Sequence, residues 1–63
     1  MNNVLPTYRD RNDLSQGELA EAVDVSRQTI NAIERERYNP SLELAFSLTG
    51  FFECRIEDLF SPE

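Results

Sequence analysis

Arg27, Gln28, Asn31 and Arg35 are the residues of this 63-residue chain whose types and spacing best suit chemistry, and that chemistry is hydrogen bonding rather than catalysis. At 100° per residue they gather, with Ala32, on one side of a helix, while Ser26, Thr29, Ile30 and Ile33 fall on the other. The polar side suits the major groove of a double helix. There an arginine fork matches the N7 and O6 of guanine, Gln or Asn matches adenine, and an alanine methyl can touch that of thymine. An isolated cluster of Arg, Gln and Asn is also what an ordinary solvated helix carries, so spacing alone leaves that reading open.

Other chemistries find little support. Apart from the adjacent Glu57 and Asp58, the 12 carboxylates lie singly or beside arginines, with no His and one Cys. No cysteine pair, glycine-rich phosphate loop or nucleophile beside a base occurs, so neither an enzyme nor a metal or cofactor site is expected. Cys54, between Glu53 and Arg55, reads as a small core filler rather than a redox sensor, and being alone it forms no internal disulfide. The net charge of −6 is unusual for a surface that meets phosphate. Every basic residue is arginine, and Arg27, Arg35 and Arg37 concentrate positive charge on or beside the polar helix. An acidic, lysine-free composition resembles that of proteins from salt-loving archaea, in which concentrated salt screens charge to about 3 Å.

The elements that must position these residues are short helices. Pro6 can open the first, over about 6–12, with Leu5 and Tyr8 facing inward. Ser15 to Glu18 has the form of a capping box ahead of a second helix over 16–23, carrying Leu19, Ala20 and Val23. Asp24 and Val25 turn the chain, Ser26 caps a third helix over 27–36, and Ile30 and Ile33 mark its inner side. Asn39-Pro40-Ser41 stops the chain and restarts it as a fourth helix over 42–52, and Ile56, Leu59 and Phe60 mark a short fifth. No stretch alternates with period two, so no sheet is expected. The fold class is all-α, a single domain over 1–63 built as a compact bundle of about five short helices.

Leu14-Ser15-Gln16, Glu18-Leu19-Ala20, Val25 to Ile30, Ile33-Glu34 and Pro40-Ser41-Leu42 fall, with no gap in the spacing, in a pattern that resembles the Xre and Cro/cI family of helix-turn-helix regulators. The resemblance covers nearly the whole chain, with the motif at about 16–35, and is strongest to short stand-alone members. It implies a lambda-repressor-like domain whose third helix reads bases through Arg27 and Gln28, then Asn31 and Thr29. Gln16 resembles the family residue that bonds a phosphate and braces that helix. Ser26, Arg35, Arg37 and Tyr38 are further candidate phosphate contacts. Asp24 and Glu36 depart from the pattern, standing where the family commonly has Gly, or Gly or Asn. Asp, however, visits the left-handed region at modest cost.

The fourth helix carries more apolar side chains than one small core can hide. This predicts a homodimer through the C-terminal segment 42–60, with Phe51, Phe52, Ile56, Leu59 and Phe60 at the interface, presenting two reading helices about 34 Å apart to a palindromic operator. The partner expected is double-stranded DNA, bound by a cytoplasmic repressor without a small-molecule ligand or membrane. The alternative is an antitoxin-like module that uses the same fold to bind another protein.

Overall fold

The computed structural model describes residues 1–62. Five helices follow in order: α1 (Leu5–Arg11), α2 (Gln16–Ala22), α3 (Arg27–Glu34), α4 (Leu42–Phe52) and α5 (Ile56–Leu59). Three starts have the expected caps. Ser15 Oγ accepts from Glu18 N while Glu18 Oε1 accepts from Ser15 N, closing the capping box. Ser26 and Ser41 accept from Thr29 N and Leu44 N. Each side chain satisfies a helix-terminal N–H that has no partner within its own helix. The first helix opens one residue early, at Leu5, with Pro6 inside its first turn, and the third ends at Glu34 rather than 36.

The helix ends share one device. At Asp13, Asp24, Glu36 and Glu53 the backbone turns left-handed, with φ of 58°, 61°, 61° and 56°. In each case the next residue donates back across five residues: Leu14 N to Arg9 O, Val25 N to Ala20 O, Arg37 N to Ala32 O and Cys54 N to Thr49 O. The left-handed residue itself donates three back, to Asp10, Glu21, Ile33 and Gly50 respectively. This paired pattern is the Schellman motif, whose left-handed position normally falls to glycine. Here it falls four times to a carboxylate, whereas Gly17 and Gly50 lie inside α2 and α4.

Leu5, Leu19, Ala20, Ile30, Ile33, Leu44, Ala45, Leu48, Leu59 and Phe60 form the core. Ala20, 2% exposed, is the small residue where α2 and α3 cross. The expectation of no sheet is corrected. Asn2–Asn3 (β1) pairs antiparallel with Phe60–Ser61 (β2), with Asn3 opposite Phe60 and Asn2 opposite Ser61, and Val4 N donates to Leu59 O at 2.9 Å. Two-residue strands are too short for alternation to reveal. Leu59 and Phe60, two of the residues expected at a dimer interface, retain only 1% and 6% exposure within the single chain. Phe52 is half-buried and packs edge-on against Tyr8 at 5.6 Å. Of the apolar side chains of α4, Leu42, Phe46 and Phe51 are left outside, at 70%, 58% and 43% exposed, with Ile56 of α5 half-buried and Met1 and Val4 also exposed at the N-terminal end. Among the described residues no helix is long and apolar enough to cross a membrane.

Candidate nucleic-acid interface

Ile30 and Ile33 fix the rotation of α3 by filling the core behind it. Arg27, Gln28 and Arg35 therefore stand exposed, and Asn31 and Ala32 half-buried at the margin. Gln16, first residue of α2, faces this margin. With Arg27, Gln28 and Asn31 it lines an open cleft of about 260 Å³. A neighbouring hollow of about 470 Å³ is lined by Arg9, Ser15, Gln16, Gly17 and Arg27. Residues far apart in the chain thus form one polar surface, to which the start of α2 adds unpaired backbone N–H groups and a partial positive charge.

A half-buried network underlies this surface. Arg9 of α1 donates from Nε to Glu34 Oε2 at 2.9 Å, from Nη2 to Glu34 Oε1 at 3.3 Å and from Nη1 to the Leu14 carbonyl at 2.9 Å. The two side chains keep 17% and 7% of their exposure. The hydrogen bond to Glu34 is the main reason the Arg9 guanidinium is raised above its usual pKa. Gln16 Nε2 donates to the same Oε1 of Glu34 at 2.8 Å, and Asn31 Nδ2 donates to Gln16 Oε1 at 3.4 Å. No buried side-chain polar atom among the described residues lacks a partner.

Sequence reasoning missed Arg9 and Glu34. Glu34 stands seven residues after Arg27 and three after Asn31, so it lies on the rim of the polar face that faces α2. That spacing was the available signal. A carboxylate among arginines reads as solvated until α1 is folded over it.

The remaining candidates separate. Thr29 is half-buried, its hydroxyl 2.9 Å from Ser26 Oγ, and it lines a different hollow with Asp24, Tyr38 and Glu43. Ser26 uses its oxygen as the α3 cap. Tyr38, 48% exposed, sits on that more acidic side. Arg35 and Arg37 are exposed beyond the end of α3, and among the described residues the ion pairs all involve Arg9. The charges of Arg27, Arg35 and Arg37 therefore face solvent. Cys54 is half-buried, and burial is the main reason its thiol pKa is raised, with Asp58 adding to the effect.

Comparison with known proteins agrees with this geometry. A helix-turn-helix regulator of Methanocaldococcus jannaschii is 52% identical over 63 residues, covering 100% of this chain and 96% of its own. The crystal structure of the restriction-modification controller protein C.AhdI from Aeromonas hydrophila superposes with a TM-score of 0.80 at 28% identity, covering 89% of this chain and 85% of its own. The N-terminal DNA-binding domain of SinR from Bacillus subtilis gives 0.76 at 26% identity, covering 84% and 78%. The family model described as helix-turn-helix matches residues 7–59, and with the capped α2, the tight Asp24 turn and the outward face of α3 it leads to one assignment: the chain belongs to the helix-turn-helix family of Xre and Cro/cI-like transcriptional regulators.

Proposed function

We propose that this regulator binds duplex DNA sequence-specifically, with α3 in the major groove, and represses transcription by occupying a promoter. The observation that carries the reading is the shared cleft of Gln16, Arg27, Gln28 and Asn31, in which groups able to read base edges lie beside a helix start able to hold a phosphate. Arg27 and Gln28 stand exposed and read bases, with the half-buried Asn31 beside them. Gln16, Arg35 and Arg37 hold the backbone. Thr29, Ser26 and Tyr38 flank the contact, Ser26 and Thr29 acting chiefly through the cap of α3.

A second copy completes the operator. The exposed Leu42, Phe46 and Phe51, with half-buried Ile56, support a homodimer on a palindrome, in place of a contact through Leu59 and Phe60. The same surface favours the second reading, a module that binds another protein.

Selection from a random duplex pool, in concentrated salt, distinguishes them. The native chain enriches a defined motif, and Arg27→Ala with Gln28→Ala abolishes the enrichment while circular dichroism stays unchanged. A pool that remains featureless with native protein overturns sequence-specific binding and leaves the protein-binding reading.

A further inference from the structure

We infer that Glu34, which does not face the groove, sets which base Asn31 reads, through a chain of hydrogen bonds whose direction the carboxylate imposes. The inference rests on the proposed major-groove contact of α3 and adds to it a positioning residue and a base.

A carboxylate held by a guanidinium only accepts hydrogen bonds. Glu34 Oε1 therefore turns the Nε2 of Gln16 toward itself, at 2.8 Å. The Gln16 amide is planar, so its Oε1 faces the other way, and there it accepts from Asn31 Nδ2 at 3.4 Å. The direction reaches Asn31 with its amide nitrogen turned inward and Oδ1 left for the groove. The remaining N–H of Asn31, on the side of its own oxygen, stays available.

An oxygen acceptor beside an N–H donor complements the adenine edge, where N6 donates and N7 accepts. Guanine offers two acceptors there and thymine O4 one, so each would face Asn31 Oδ1 with a lone pair against a lone pair. Cytosine offers its amine but no neighbouring acceptor. Asn31 is thereby assigned to adenine. Without Glu34 an asparagine could turn over and serve either kind of edge. Arg9 anchors the chain by holding both Glu34 oxygens, which prevents the carboxylate from swinging out toward Arg27.

Removing the carboxylate's bias gives the test. In Glu34→Gln one oxygen becomes a donor: with the amide oxygen on Arg9 Nε the new nitrogen faces Gln16 but also meets Arg9 Nη2–H, and with the oxygen at the Oε1 position Gln16 keeps its orientation while the nitrogen meets Arg9 Nε–H. The direction is no longer imposed, and Gln16 and Asn31 are free to turn over. Selection from a random duplex pool is run on the native chain, Asn31→Ala, Glu34→Gln and Gln16→Met, with thermal unfolding followed for each. Asn31→Ala marks the base position concerned. The native chain is expected to prefer adenine there by on the order of tenfold, the discrimination of one good bidentate contact. Glu34→Gln weakens the adenine preference at that position and leaves the others unchanged. Gln16→Met, which keeps the Arg9 pair intact, flattens it; removing a phosphate-binding amide from position 16 lowers affinity for all sequences alike and so leaves base preference untouched.

Retention of adenine in folded Glu34→Gln and Gln16→Met overturns the inference, as does native selection of guanine or thymine at that position. If Glu34→Gln does not fold, Gln16→Met alone decides. A featureless native pool instead overturns the DNA-reading proposal itself, so the two failures are distinct.

Discussion

Arg9 and Glu34 are joined closely enough that losing one is not half of losing both. Arg9→Met would leave the Glu34 carboxylate, 7% exposed, without its guanidinium; breaking a fully buried pair costs about 3–5 kcal/mol, and this half-buried one is expected to cost less. Arg9→Met combined with Glu34→Met removes both desolvated charges and fills their volume. The double variant is expected to unfold within about 1 kcal/mol of the native chain, with the single variant below both in urea titrations. A single variant as stable as the double one would mean that water reaches Glu34 freely. The outward residues Arg27, Gln28 and Asn31 were legible from the 3.6-residue period alone, whereas the pair beneath them joins residues 25 apart in sequence, a link that helical spacing does not reveal.

The helices begin as their sequences dictate and end less obviously. Serine caps are local signals, and the starts at Gln16, Arg27 and Leu42 could be read directly. The stops lacked their usual mark because Asp13, Asp24, Glu36 and Glu53 stand where glycine is customary. Only Asp24 and Glu36 stand out in the sequence, through the family resemblance. A left-handed conformation costs a residue with a Cβ about 1–2 kcal/mol, less for Asp, and a carboxylate at a helix C-terminus opposes the helix dipole by a further 0.3–1 kcal/mol or so. Glu53→Gly is therefore expected to stabilise the fold by about 1 kcal/mol, with Glu36→Gly similar and Asp24→Gly smaller. Chemical denaturation measures the order, and a clear loss of stability in Asp24→Gly would contradict the account. The glycine inside α4 points the same way, because a Cβ at Gly50 would meet nothing within 4 Å and Ala there should favour the helix.

At the scale of the whole molecule, the all-α class and five-helix order were legible, and the pairing of the two ends was not. Residues 2–3 and 60–61 are far apart in sequence and have no alternation. Only when α1 and α5 settle against one core do they meet. That settling also withdrew Leu59 and Phe60 from the expected dimer surface. The strand pair has a second attachment, since Asn3 Nδ2 donates to the Ile33 carbonyl at 2.8 Å, in the last turn of α3. Deleting residues 1–3 should leave that carbonyl with only its bond from Glu36 N and lower thermal stability. It should also weaken operator binding, although none of the three residues lines the cleft of Gln16, Arg27, Gln28 and Asn31. Melting and gel-shift measurements on the truncated chain check both, and unchanged affinity would show that the last turn of α3 holds its shape unaided. Residues 2–3 and 60–61 are thus the outer links of a tether whose inner link is α3. Tension applied to either strand, by a fused domain or by a neighbouring protein drawing on the N-terminal strand, would reach α3 mechanically and, under the proposed function, would act on its DNA contact as a physical input.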